Sequence, residues 1–277
     1  MKLKLPTVTL ICVDCVDAEG AAKVLEICKD KVDFGAVKLL TNLPIENEHR
    51  IEIMPLNTLI MYSVFMLTKL HEYIDTPNVL IVQRDGWILN PESFRMEWLE
   101  LDYIGPLFMQ YDKVGSGGFS LRTKRIMQYT ATILPYWNGS EKTANEIQKT
   151  LGYYEDGVLC FDNRLNHYKK ATPQQACVFA QGGNRNPEYF IELPFGFHRT
   201  WQGINFTTGV VDSSNPKNDI RNSYKSEFNK KDIENNVSCT VIVGKDEWGN
   251  VIDYLFENKN YFAAVSVVEG NFPPCFT

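Results

Sequence analysis

Four short segments place acidic, glycine or histidine residues where a fold can use them for chemistry. The first spans residues 78–89, Asn-Val-Leu-Ile-Val-Gln-Arg-Asp-Gly-Trp-Ile-Leu. An aliphatic, β-branched run delivers one carboxylate, Asp85, to a glycine. Gln83 lies two residues earlier, on the same strand face, so both side chains can reach one ligand. A carboxylate at the carboxyl end of a sheet strand is suited to holding a divalent cation against a diphosphate. It is equally an ordinary Asp-Gly turn.

The second segment is Gly115-Ser-Gly-Gly-Phe-Ser-Leu-Arg122. It lacks the last glycine of a dinucleotide fingerprint and the Lys-Ser/Thr of a P-loop. Its three glycines allow close backbone approach to a ligand, or simply form a hairpin loop. The third is Tyr153-Tyr-Glu-Asp-Gly157, where Glu155 and Asp156 open a helix. They complement the helix dipole there, or one serves as general base to a hydroxyl. The fourth, Pro194-Phe-Gly-Phe-His198, sets His198 among aromatics, as a packed residue or as a metal or diphosphate ligand. The remaining histidines (His49, His71, His167) sit in polar or helical contexts and are read as structural.

These residues need elements to hold them. Residues 6–14 read as a buried strand ending on Val13 and Asp14, residues 18–31 as a helix, and 36–41 as a second strand. This β-α-β opening implies a parallel sheet with a right-handed crossover. A polar loop is expected over 43–53, a helix over 55–73, and a third strand over 79–82 that continues at 87–89. Short strands follow at 103–105 and 119–122, and helices at 123–132, 142–150 and 156–161. Residues 175–180 and 188–192 read as strands, and 194–198 as a turn. From residue 207 the texture changes to a polar Asn/Ser/Lys stretch and then two strand-like runs. Two units are expected: 1–206, and a β-rich appendage over 207–277.

Bulk properties narrow the classes. Hydrophobic residues make up 44 %, enough for a substantial core, so disorder is not expected. A net charge of −6 argues against a general nucleic-acid or anionic-membrane binder. No run has the length of a transmembrane helix and no signal peptide is evident. The reading is a soluble, cytoplasmic protein. Seven cysteines form no framework, and the Cys12-x-x-Cys15 pair begins inside a strand, which favours a structural role.

Taken in order, these pieces resemble the GT-A-type glycosyltransferase-like proteins that bacteria and large viruses encode near polysaccharide-synthesis genes. Much of that family is known only as a domain of unknown function. The likeness covers about residues 5–201. It rests on Leu5-Pro-x-Val-Thr-Leu10, Val79-Leu-Ile-Val-Gln-x-Asp-Gly86 preceded by Tyr73-Ile-Asp-Thr76, and Asp102-Tyr-Ile-Gly105. Val114-Gly-x-Gly-Gly-Phe-Ser-Leu-Arg122, Glu155-Asp156 and Pro194-Phe-Gly-Phe-His198 complete it.

The resemblance implies an α/β fold, a mixed, mostly parallel sheet flanked by helices, and a glycosyltransferase activity. Its partners are a nucleotide-sugar donor and a glycan or glycoconjugate acceptor. By that likeness Asp85 and His198 hold Mn²⁺ or Mg²⁺, while Val13 and Asp14 meet the nucleoside. Gln83, Arg84, Gly117, Gly118 and Phe119 line the donor, and Asp156 or Glu155 is the base.

The chain departs from the pattern in three places. Gln83 replaces the first acid of the metal motif, which makes the metal dispensable in principle. Leu107-Phe108 stands where members often carry Trp. Arg199 replaces a glycine and offers a phosphate contact instead. Gln83 also motivates an alternative, a non-catalytic glycan-binding or assembly protein on the same scaffold. A nucleotidyltransferase reading would want a basic glycine-rich loop after the first strand, where Val16-Asp-Ala-Glu-Gly20 is acidic.

Overall fold

The computed structural model describes residues 2–108, 114–181 and 194–198, with the backbone of 204–205 and 210–211. A six-stranded sheet forms its centre, in the order β3-β2-β1-β4-β6-β5. β1 (Leu3–Val13) runs parallel to β2 (Val32–Thr41) on one side and to β4 (Asn78–Val82) on the other. β3 (Arg50–Glu52) extends the parallel set beside β2. β6 (Ser120–Thr123) pairs antiparallel with β4 and with β5 (Tyr103–Ile104). The expected α/β class, a mixed and mostly parallel sheet flanked by helices, is the one observed.

The central strands are continuous apolar runs because helices and loops cover them on both sides. Residues 8–13 of β1 and all of β4 are buried. α1 (Ala18–Lys31) supplies the crossover from β1 to β2. Asp17 caps it by accepting from the Gly20 N–H at 2.9 Å, and Lys29 and Lys31 complement its last turn. α2 (Leu59–Thr68) starts at Thr58, whose Oγ1 accepts from the Met61 N–H at 3.2 Å. It packs against α3 (Lys124–Ile133), α4 (Glu141–Leu151) and α5 (Glu155–Phe161). A 3₁₀ turn, Leu70–Tyr73, completes the helical stretch expected over 55–73.

Several expectations are corrected, among them that residues 196–197 of the expected 194–198 turn form a strand and that 87–89 carry only an isolated bridge at Ile88. The 43–53 loop contains β3, an edge strand too short to show a period. Residues 175–180 are not a strand: α6 (Pro173–Phe179) occupies them. Thr172 and Gln175 form a reciprocal capping box and Pro173 takes the first helical turn, which outweighs the apolar run that follows. The chain then enters β7 (Ala180–Gln181), parallel to β8 (Gly196–Phe197). β9 (Ile204–Asn205) and β10 (Val210–Val211) pair antiparallel across the boundary expected at 206/207. The strand expected at 188–192 and the appendage beyond residue 211 lie outside the described residues. Among the described residues no helix is long and apolar enough to cross a membrane.

Candidate functional site

Because β1 and β4 are parallel neighbours with Cys12 opposite Val82, their carboxyl ends finish side by side. Asp14 leaves one end and Gln83, Arg84 and Asp85 leave the other. Between them and the start of α2 lies a cleft of about 310 Å³, lined by Val13, Asp14, Tyr62, Gln83, Arg84 and Asp85 among others. Val16 and Leu59 also line it and are 72 % and 60 % exposed, so its mouth carries two unshielded apolar groups.

Asp14 is fixed by the backbone. Its Oδ1 accepts from the N–H groups of Val16 (2.7 Å) and Asp17 (2.8 Å). Its Oδ2 lies 3.8 Å from Arg84 Nε. Burial pushes the Asp14 carboxyl up, and the backbone hydrogen bonds and Arg84 recover only part of that.

His198 reaches Asp85 and Gln83 by packing that begins at Trp87. Phe197 sets its ring edge-on to Trp87, with centroids 4.5 Å apart, and donates its N–H to the Trp87 carbonyl at 3.3 Å. Ile88 and Gly196 form a bridge beside them. Gly86 permits this approach: a Cβ there would stand 2.7 Å from the Phe197 carbonyl oxygen and 3.1 Å from His198 Cα. His198 Nε2 therefore lies 3.5 Å from Asp85 Oδ1 and 3.1 Å from Gln83 Oε1.

Gln83 donates through Nε2 to Tyr62 Oη at 2.7 Å, which leaves Oε1 as acceptor for a proton on His198 Nε2. His198 Nδ1 then accepts from Ser116 Oγ at 2.7 Å. The Ser116 hydroxyl both donates and accepts. It can therefore hold the opposite tautomer, which frees Nε2 to bind a cation.

Asp85 and His198 offer one oxygen and one nitrogen. No group of three His, Cys, Asp or Glu side chains among the described residues is arranged to hold a metal. Two protein donors still fit a Mn²⁺ or Mg²⁺ ion whose remaining positions are filled by phosphate oxygens and water.

The glycine loop closes the adjoining side. A Cβ on Gly118 would run into His198 Nε2 and Gln83 Oε1, and one on Gly117 into Glu155 Oε1. Gly117 donates its N–H to Asp156 Oδ2 at 3.3 Å, while Asp156 Oδ1 accepts from the Gly157 N–H at 2.7 Å. Glu155 is buried and bound to Arg122, Nη2 to Oε1 at 2.7 Å. Burial opposes the charge on Arg122, but the adjacent Glu155 carboxylate outweighs it and keeps the guanidinium protonated.

The structure thus gathers Val13, Asp14, Gln83, Arg84, Asp85, Gly118 and His198 at one sheet edge, with Gly117 and Asp156 beside them. Two expected site residues stand elsewhere. Phe119 is fully buried and packs its ring on Phe179 and Phe195, at 5.3 Å and 5.8 Å, because the bend before β6 turns it into the aromatic core. Glu155 is committed to its ion pair. Arg199 lies outside the described residues. Tyr62, Ser116 and Arg122 were not singled out from the sequence. Arg122, a charged residue inside β6, carried the one local signal.

The sequence model of DUF5672, described as a protein of unknown function, matches residues 48–198. The chain belongs to this family. The matched span includes Gln83, Asp85, the glycine loop, Asp156 and His198. No curated protein matches the chain.

Among solved structures, the chain is similar to a glycosyltransferase involved in glycosylation of the major capsid of PBCV-1. Identity is 14 % and the TM-score 0.43, over 70 % of this chain and 93 % of that one. It is also similar to the galactosyltransferase LgtC, solved with donor and acceptor sugar analogs. There identity is 11 % and the TM-score 0.43, over 87 % and 99 %. A third is the glycosyltransferase GlyE of Streptococcus pneumoniae TIGR4, at 11 % identity and a TM-score of 0.40, over 73 % and 55 %.

Proposed function

We propose that this protein transfers a sugar from a nucleoside-diphosphate-sugar donor to a hydroxyl of a glycan or glycoconjugate. One observation carries the reading. Asp14, Gln83 and Asp85 line one cleft at the carboxyl edge of the sheet, His198 contacts Gln83 and Asp85 there, and the glycine loop and Asp156 lie beside them. The apolar mouth at Val16 and Leu59 suits a nucleobase, and Asp14 suits the ribose hydroxyls. Asp85 and His198 are the residues that would hold Mn²⁺ or Mg²⁺. Such an ion supplies electrostatic stabilisation of the departing diphosphate. Arg84 supplies positive charge at the same edge.

Asp156, rather than Glu155, takes the proton of the acceptor hydroxyl as its oxygen forms the new glycosidic bond. Asp156 receives two backbone N–H bonds, whereas Glu155 is buried and committed to the Arg122 guanidinium, and burial pushes its carboxyl up despite that partner. A cytoplasmic role in polysaccharide synthesis accompanies this proposal. A second reading, a glycan-binding protein without turnover, is favoured by Gln83, whose amide is spent on Tyr62 and His198.

The test is a thermal-shift panel of UDP-, GDP-, CMP- and dTDP-linked sugars, with Mn²⁺ and with EDTA. A stabilising shift with one nucleotide, abolished in Asp85→Ala, supports the transferase and names its base. A shift that survives EDTA says that Gln83 and its partners work without a metal. No shift with any nucleotide overturns the proposal, and carbohydrate binding without donor consumption selects the second reading.

A further inference from the structure

We propose that Arg122 and Glu155 form a buried positioning pair that holds the 115–118 loop, and through it Asp156, in register with the cleft. The inference rests on the transferase reading for its meaning, but not for its test. The loop offers almost no side chains by which a core can grip it. Gly115, Gly117 and Gly118 leave only backbone groups, and glycine carries the largest conformational freedom to be suppressed.

The core grips those groups. Gly117 O accepts two hydrogen bonds, from Ser120 Oγ at 2.7 Å and from Arg122 Nη2 at 3.1 Å. Gly115 O accepts from Tyr103 Oη at 2.9 Å, and the Arg122 guanidinium lies over the Tyr103 ring, 5.5 Å from its centroid. Arg122 Nε donates to Ser120 Oγ at 2.9 Å, and Nη2 is shared with Glu155. Fixing the Gly117 carbonyl fixes the neighbouring peptides. The Gly117 N–H is thereby aimed at Asp156, and Gly118 is held against His198 and Gln83.

A buried ion pair is not needed for stability alone, since apolar replacements of both partners are often tolerated. Here, among the described residues, the guanidinium is the one group that reaches the loop carbonyl, the strand serine and the residue before the candidate base. Neither Arg122 nor Glu155 needs to touch substrate for this role.

The experiment is hydrogen–deuterium exchange on the full chain, comparing the wild type with the double variant Arg122→Met/Glu155→Leu. The expected result is a folded variant whose 115–118 amides exchange roughly tenfold faster or more, while the sheet stays protected. Donor turnover falls about a hundredfold, with the donor KM little changed, as expected for a misplaced reacting group. Should the double variant not fold, Arg122→Lys is read in the same way, because it keeps the charge facing Glu155 but loses the fork. Unchanged loop exchange in a folded variant overturns the proposal. So does faster exchange spread evenly through the sheet, which is what a merely structural pair would give. If the wild type turns over no donor and the loop still loosens selectively, the transferase reading fails and the positioning pair stands.

Discussion

Gly86→Ala is the perturbation that most directly tests how the site is assembled. Gly86 has no left-handed backbone; the positive-φ glycines among the described residues are Gly139 and Gly152. Its lack of a side chain serves close approach instead. The added methyl would meet the Phe197 carbonyl oxygen at 2.7 Å, where ordinary contact begins at 3.4 Å, so the two backbones must part by about 0.7 Å. The obstacle is main chain, which cannot swing aside as a side chain would.

Adding that displacement to the 3.3 Å Phe197 N–H to Trp87 O distance carries the bond past hydrogen-bonding range. The lost bond costs about 1 kcal/mol. The residual overpacking costs roughly 1–3 kcal/mol more. For a chain of this size that amounts to a fall in Tm of roughly 5–15 °C. His198 moves with Phe197, away from Asp85 and Gln83, so nucleotide-induced stabilisation should largely vanish. Differential scanning fluorimetry with and without nucleotide reads both effects. Gly152→Ala is the control: its Cβ would meet nothing within 4 Å, but φ is +72°. It should cost about 1–2 kcal/mol and leave the nucleotide response intact. A Gly86→Ala protein with wild-type Tm and a full nucleotide shift would refute this account of how His198 is placed.

Three other outcomes follow from the structure. Asp102 is buried. Burial alone would raise its carboxyl, but hydrogen bonds from Arg125, Thr123 and the Lys169 N–H outweigh that and hold it below the usual range. A depressed folded-state value means its stabilisation is complete above the ordinary carboxylate range, near pH 4, and is lost as pH falls through the folded value. Urea midpoints of wild type and Asp102→Asn should therefore converge on acidification, and parallel pH profiles would contradict it. Cys15 lines the cleft, whereas Cys12, Cys28 and Cys177 are buried. Of the described cysteines, Cys15 and Cys160 are half-buried, and Cys15, at the cleft, should alkylate and be protected by a bound nucleotide, which peptide mass spectrometry reads directly. Trp98 packs edge-on against Phe94 and Phe179, at 5.3 Å each, and tilted on Phe195 at 6.2 Å. Trp98→Ala should cost roughly 3–5 kcal/mol in chemical unfolding and weaken nucleotide binding by loosening the 194–198 segment; an unchanged midpoint would refute its role as the hub of that cluster.

The elements legible in the sequence are those whose signals are local. α1 announces itself by Asp17 before an apolar period, and α4 by Ser140 at its start and Gly152 at its end. The site's carboxylates are legible for a related reason. An aliphatic run broken by one acid, as at Asp14 and Asp85, marks a strand end, and a parallel sheet brings such ends together. α6 shows a local signal misjudged: Thr172-Pro-Gln-Gln175 outranks the β-branched and aromatic content of the residues after it.

The partners within the site were not legible at all. Gln83 meets Tyr62 across 21 positions, Arg122 meets Glu155 across 33, and His198 meets Ser116 across 82. No period or cap encodes a meeting at that separation; it arises when the sheet sets β4 beside β6 and β8 follows residues 86–89. The same holds in reverse for Phe119, which stands in a glycine-rich, ligand-like context and yet belongs to the core. Its neighbours Gly117 and Gly118 sit in a turn against Glu155, His198 and Gln83, so a single bend before β6 decides which residues stand at the site and which meet Phe179. Glu155 and Asp156 divide in the same manner. They are adjacent and chemically alike, and only the burial of Arg122 beneath one of them separates a counterion from a candidate base.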